Sequence, residues 1–213
     1  MKSSRIGVFG GTFDPVHQGH LQLAQQAISE INLCQLVFVP AAQPPHKSGN
    51  ITPIKHRIAM LELLCQESEN LVCSGIEKIL PKPSYTVDTL RELVKLYPGN
   101  IDLYFIIGVD AFLDLMTWKS YLTILSMVQI VVSPRIGYAD HFLHSFLNKI
   151  GYNLKDDRWQ AEDHKKDIIV LSKPPQAVCS SSVRKVIENG GTTATMLHPA
   201  VADYIHENSL YKL

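Results

Sequence analysis

The stretch Gly10-Gly11-Thr12-Phe13-Asp14-Pro15-Val16-His17-Gln18-Gly19-His20 limits what this chain can fold into more than any other. An apolar run before it, Ile6 to Phe9, reads as a buried strand. Leu21 to Ile31 follows, with Leu21, Ala24, Ala27, Ile28 and Ile31 at helical spacing. The order is strand, glycine turn, helix start. Such a junction offers backbone N–H groups and the positive end of a helix dipole to an anion. Gly10 and Gly11 allow backbone geometries that other residues resist and let a ligand come close. His17 and His20, three apart, share one face at the helix start. The glycine pair by itself would serve equally as a tight turn, and the histidines as metal ligands. No obvious zinc set is completed nearby, and Gly-Gly-Thr points to phosphate. The spacing matches neither the dinucleotide fingerprint nor the P-loop.

Apolar runs alternate with helical patterns along the rest of the chain. Strands are expected at Leu36 to Val39, Leu71 to Cys73, Leu103 to Ile107, Val128 to Val132 and Ile168 to Leu171. Helices are expected at Ile54 to Cys65, from Thr86 (as N-cap) to Tyr97, at Ala139 to Ile150 and at Val183 to Glu188. The alternation predicts an α/β chain with a Rossmann-like, doubly wound parallel sheet. It reads as a single domain over 1–213, with a core over 1–177 and a C-terminal helical portion over 178–213. The charge-dense run Lys155 to Lys166 reads as a solvated surface excursion.

Several chemistry-bearing residues fall at the carboxyl ends of these strands, where such sheets bind ligands. After the second strand, the turn-rich run Pro40 to Asn50 carries His46 and Lys47, donors suited to a phosphate. His56 and Arg57 read as surface residues of a first helical turn, Arg57 within possible reach of a phosphate. Gly108-Val109-Asp110 ends the most strand-like run; Asp110 suits a ribose hydroxyl or a helix cap. Trp118 suits the core or stacking on a planar ring. Ser180 and Ser181 precede a helix, and Arg184 adds a charged fork.

The string Gly10-Gly11-Thr12-Phe13-Asp14-Pro15-Val16-His17-x-Gly19-His20-Leu21 resembles the signature of the His-x-Gly-His nucleotidyltransferase superfamily. As a whole it is similar to that of bacterial nicotinate-nucleotide adenylyltransferases. The resemblance continues through Pro44-Pro45-His46-Lys47, Ser84-Tyr85-Thr86-x-Asp88-Thr89-Leu90 and Phe105-Ile106-Ile107-Gly108-x-Asp110 with Trp118 downstream. It ends in Val178-Cys179-Ser180-Ser181-Ser182-Val183-Arg184 and the tail from Leu197 to Tyr211, and is weakest over 136–170. It implies adenylyl transfer from ATP, with Mg²⁺ arriving on the ATP, to nicotinate mononucleotide, with pyrophosphate released. The implied ATP side is Gly10, Gly11, Thr12, His17, His20, Gly108, Asp110, Arg135, Ser180, Ser181 and Arg184; His17, His20 and Arg184 serve the chemistry. The implied mononucleotide side is Phe13, His46, Lys47, Tyr85, Thr86 and Trp118, with the backbone N–H at Thr86 on the nicotinate carboxylate. Cys179 departs from the family's serine and receives no role.

The remaining expectations come from composition. The chain has 213 residues and a formal net charge of +0, which argues against broad binding to nucleic acid or an anionic membrane. Cys34, Cys65, Cys73 and Cys179 are scattered and read as reduced thiols of a cytoplasmic protein. No secretion signal or membrane span is expected, and the assembly is a monomer or homodimer. Competing readings are the same transfer to nicotinamide mononucleotide, phosphopantetheine or another small phosphate, and a non-catalytic nucleotide sensor.

Overall fold

Strands and helices alternate as the apolar pattern requires. A computed structural model describes residues 3–43, 51–97, 99–137 and 140–212. In chain order the elements are β1 (Ser4–Gly11), α1 (Gln18–Ile31), β2 (Gln35–Pro40), α2 (Ile54–Cys65), β3 (Leu71–Cys73), α3 (Thr86–Leu96), β4 (Ile101–Gly108) and α4 (Val109–Leu113). Then come α5 (Tyr121–Met127), β5 (Gln129–Ser133), α6 (Asp140–Lys149), β6 (Tyr152–Lys155), β7 (Arg158–Ala161), β8 (Ile168–Val170), α7 (Ser180–Glu188) and α8 (Pro199–Glu207). One eight-stranded sheet runs in the order β3-β2-β1-β4-β5-β8-β7-β6. Its strands are parallel from β3 to β8, and β7 and β6 are added antiparallel.

Strand side chains alternate between faces, and each face builds its own core. Val8, Val37, Phe105 and Ile130 point to the layer of α3, α4, α5 and α6. Phe9, Phe38, Ile106 and Val131 point to the layer of α1, α2, α7 and α8. This is the doubly wound Rossmann-like arrangement. After β1 the chain crosses one face through α1; after β4 it enters α4 on the other face. A crevice opens where neighbouring strands send their connections to opposite sides, here between the carboxyl ends of β1 and β4.

The structure corrects three local expectations. Gly10 and Gly11 are not a turn: β1 runs through both, paired with Val39 and Pro40 of β2. The positive φ falls instead on Phe13, at 49°. The charged run 155–166 is largely a hairpin, since β6 and β7 pair from Tyr152↔Ala161 to Lys155↔Arg158. Asp156 and Asp157, with φ 48° and 62°, make its two-residue turn, the left-handed pair that matches strand twist. Trp159 and Tyr152 are its buried side chains; the charges that suggested solvent occupy its other positions. Thr86 is the first residue of α3 and Tyr85 its N-cap, so Thr86 does not cap the helix.

Candidate active site

The β1–α1 junction is held from below. A Cβ on Gly11 would lie 2.8 Å from the Phe13 ring. That ring is 2% exposed and packs edge-on against Phe9, Phe38 and His20, with centroids 5.4, 5.5 and 5.0 Å away. Phe13 therefore props the loop, and its side chain lines neither pocket described below, contrary to its expected place against the mononucleotide.

His17 is the N-cap of α1, and its backbone N–H donates to His20 Nδ1 at 3.2 Å. A neutral ring that accepts at Nδ1 carries its proton on Nε2, so this bond sets the His20 tautomer. The His17 and His20 rings stack with centroids 3.6 Å apart. Burial pushes His17 down to about 4, outweighing the bond to its own backbone. It is neutral at pH 7, and its buried Nδ1 faces the backbone at the start of α1 without a full hydrogen bond among the described residues.

Two pockets open at the crevice, one against each face of the sheet. The first, about 350 Å³, is walled by Phe9, His17, Gly19, His20 and Leu23, by Gly108 and Asp110 at the end of β4, by Ser133 to Ile136 after β5, and by Pro175 to Cys179. It gathers His17, His20, Gly108, Asp110 and Arg135, which the sequence assigned to one ligand. Asp110 and Arg135 are paired with each other at its mouth. The second Asp110 oxygen, Oδ1, is buried without a partner among the described residues.

The second pocket, about 280 Å³, is walled by Gly10, Gly11 and Thr12, by Ala41, by Glu77, by Ser84 to Thr86 with Thr89 at the start of α3, and by Phe105, Trp118 and Lys119. It gathers Tyr85, Thr86 and Trp118, as expected for one ligand. It also takes Gly10, Gly11 and Thr12, which the sequence placed on the ATP side. Trp118 meets Phe105 edge-on at 6.3 Å. Tyr85 lacks a side-chain cap bond on α3, and its carbonyl accepts from Asp88 and Thr89. The N–H groups of Thr86 and Val87 precede these first helical bonds, so the helix start offers donors to an anion. Glu77 turns its carboxylate inward. Oε2 accepts from Ser84 Oγ at 2.6 Å and Ala42 N–H at 2.9 Å, and Oε1 from Thr89 Oγ1 at 2.9 Å.

Four residues tie these walls together, and the sequence reading singled out none of them for this. Arg57, expected at the surface, is 1% exposed. Its Nε donates to Thr52 O, and one terminal nitrogen to Thr12 O and Ala41 O, each at 2.8 Å. Burial lowers its guanidinium below the usual value against the attraction of Asp14, yet Arg keeps its charge. Asp14 is buried beside it. Its carboxylate accepts from Tyr211 OH at 2.7 Å and from Thr52 N–H at 3.3 Å.

The α7 start differs from expectation in its details. Ser180 and Ser181 do not cap the helix; Cys179 does, and its N–H donates to Ser182 Oγ at 3.4 Å. Cys179 is also the residue of this segment on the first pocket's wall. Ser180 Oγ donates to Pro15 O at 3.0 Å, and Arg184 donates to Asp14 O at 2.6 Å. Ser180, Ser181 and Arg184 thus stand beside the β1–α1 loop but line neither pocket. The Ser181 and Ser182 hydroxyls hold the Cys179 thiol down to about 7. His46 and Lys47 lie outside the described residues.

Comparison with known proteins agrees with this geometry. Residues 8–186 match the family model "Cytidylyltransferase-like". A curated relative from Desulfotalea psychrophila is 41% identical over 97% of this chain and 99% of its own length. One from Carboxydothermus hydrogenoformans is 38% identical over 100% of both. Both carry the name "Probable nicotinate-nucleotide adenylyltransferase". Among solved structures, the Plasmodium falciparum nicotinic acid mononucleotide adenylyltransferase complexed with NaAD superimposes with a TM-score of 0.74 at 22% identity, covering 98% of this chain and 97% of that one. The same enzyme complexed with APC gives 0.72 at 21% identity, with the same coverage. These structures show a common fold. The sequence relatives show more: this chain belongs to the cytidylyltransferase-like family and, within it, to the nicotinate-nucleotide adenylyltransferases.

Proposed function

We propose that this chain transfers the adenylyl group of ATP to nicotinate mononucleotide, giving nicotinate adenine dinucleotide and pyrophosphate. The observation that carries the reading is the pair of pockets, one on each face of the sheet, that open at the ends of β1 and β4 beside His17 and His20. ATP occupies the first pocket and the mononucleotide the second. The mononucleotide phosphate, near the glycine end of β1, attacks the α-phosphorus of ATP in line.

A phosphate monoester has its second pKa near about 6 and is largely dianionic at neutral pH, so the attack needs no general base. The protein's task is to align two polyanions and stabilise charge on the transferring group. His20, with its proton on Nε2, is a neutral donor for a phosphoryl oxygen. His17, held neutral by burial, offers the second ring N–H to the same phosphate. Arg184 and the α7 start at Ser180 and Ser181 stand beside the β1–α1 loop, outside the lining of both pockets, and receive the pyrophosphate as it leaves the first pocket. Asp110 Oδ1 accepts from a ribose hydroxyl. In the second pocket Trp118 and Tyr85 flank the pyridine ring, and the N–H groups at the start of α3 receive its carboxylate. Mg²⁺ enters as part of Mg-ATP, held mostly by phosphate and water oxygens. Among the described residues no group of three or more His, Cys, Asp or Glu forms a candidate metal site. No helix among them is long and apolar enough to cross a membrane.

The test is pyrophosphate release from Mg-ATP with nicotinate mononucleotide and, separately, with nicotinamide mononucleotide. A large preference for the acid in kcat/KM is expected. A preference for the amide would overturn the reading of the second pocket and keep the mechanism; silence with both, from protein that binds ATP, would leave a nucleotide sensor.

A further inference from the structure

We propose that Lys119 is a specificity-determining residue, whose ammonium lets the second pocket accept an anionic ring substituent despite the carboxylate in its wall. The proposal rests on the acceptor assigned above. Among the described residues, Lys119 is the only Lys or Arg lining that pocket. Its Nζ sits 4.4 Å above the centre of the Tyr85 ring and 2.8 Å from Asp88 Oδ2. Asp88 also pairs with Arg91, at 3.0 Å.

The charge count around the pocket gives Lys119 its importance. Glu77 is 8% exposed and part of the lining. Its three hydrogen bonds satisfy the carboxylate without cancelling its charge. A nicotinate carboxylate entering the same pocket meets a like charge in a partly desolvated place, which costs affinity. Asp88 adds a second negative charge beside the helix start. The buried Arg57 also feels Glu77, but it is attracted first to the Asp14 carboxylate. Among the described residues Lys119 and Arg91 then remain to offset Glu77 and Asp88, and this set is neutral overall. Of the two cations, only Lys119 lies on the wall. Its place over Tyr85, an aromatic face to which a cation is attracted, holds it beside the space assigned to the ring. An amide substituent carries no charge and is indifferent to the balance. Without Lys119 the described surroundings of the pocket are left net negative, and only the acid is penalised.

Lys119 is half exposed, so its influence is moderate and open to screening. The test compares wild type, Lys119→Met and Lys119→Arg with both mononucleotides at low and high salt. Lys119→Met is expected to lower kcat/KM for the acid about five- to tenfold, through KM, with the amide changed less than about twofold. Lys119→Arg should keep the acid-to-amide ratio. Raising salt should leave that ratio nearly flat in wild type and raise it toward the wild-type value in Lys119→Met, because screening relieves the repulsion that the missing ammonium exposes. An equal loss with both substrates, or an unchanged ratio in Lys119→Met, overturns the proposal, because a structural role would act on both. Wild-type protein silent with both mononucleotides overturns the assigned acceptor, and this inference with it.

Discussion

The first pocket keeps its polar side chains engaged with one another, whereas the second turns its own toward the protein interior. In the first, Asp110 pairs with Arg135 and His17 stacks on His20. These partners suit a site that rearranges when a polyanion enters, since each can exchange a neighbour for a phosphate oxygen. In the second, Glu77 fixes Ser84, Thr89 and the Ala42 N–H, and Arg57 fixes the carbonyls of Thr12 and Ala41. This pocket is shaped before a ligand arrives. In the proposed reading, recognition there is left to backbone N–H groups, aromatic faces and Lys119. One fold end thus carries a responsive pocket and a rigid one, which the proposed function gives to the group being transferred and the group receiving it.

The strongest way to break this comparison is at His20. His20→Ala should lower kcat by about 10²-fold or more, the loss typical of an oriented donor to developing charge, with KM for the mononucleotide nearly unchanged. A large KM change instead would place His20 in the rigid pocket's business. Arg57→Met should cost about 2 kcal/mol of stability in denaturant unfolding, because three partly buried carbonyls lose a charged donor. It should also raise KM for the mononucleotide more than KM for ATP. Equal changes in both would show that the two pockets share one support.

The pH dependence sharpens the contrast further. With the His17 pKa near 4 in the folded protein and near 6.5 unfolded, the unfolded chain binds the extra proton between those values. Stability should therefore fall as pH drops from about 6.5 to about 4, by roughly 1 kcal/mol per pH unit. His17→Asn should flatten that slope in unfolding curves taken at pH 4.5 to 7. The smallest effect is chemical. The Cys179 thiol, near 7, should alkylate with iodoacetamide well before Cys65 and Cys73, which burial pushes up to about 12. Mg-ATP should slow it, since Cys179 lies on the first pocket's wall. Protection by the mononucleotide alone would reverse the assignment of the pockets.

The fold was legible because apolar runs and helical spacing are local signals. Each expected strand is present in the sheet, and α1 begins with the histidine pair as the spacing required. The hairpin escaped because Asp156-Asp157 and the charges around it look like solvated chain until the partner strand is known. The division of site residues between two pockets was largely visible at the strand ends. Their supports were not. Arg57 looks like any first-turn arginine; only the fold closes three backbone carbonyls around it. Cys179 seemed a lost serine, yet the helix N-cap position needs mainly an extended backbone (φ −130°, ψ 150° here). Phe13 seemed a ligand contact because it sits in the motif, but its positive φ turns the ring into the core.

The bond from Tyr211 to Asp14 spans 197 residues, and it bears on the order in which the protein becomes competent. Contacts that far apart in sequence form late, after the loop between them has closed. A nascent chain that has emerged as far as β5 already has β1, β2, β4 and β5, the four strands nearest the crevice, and most of both pocket walls. It still lacks α7 with its Arg184 bond to the Asp14 carbonyl, and the tyrosine on the Asp14 carboxylate. The loop that carries the histidines is thus anchored by the chain emerging last, and a half-made protein presents the binding surfaces before the brace that steadies them.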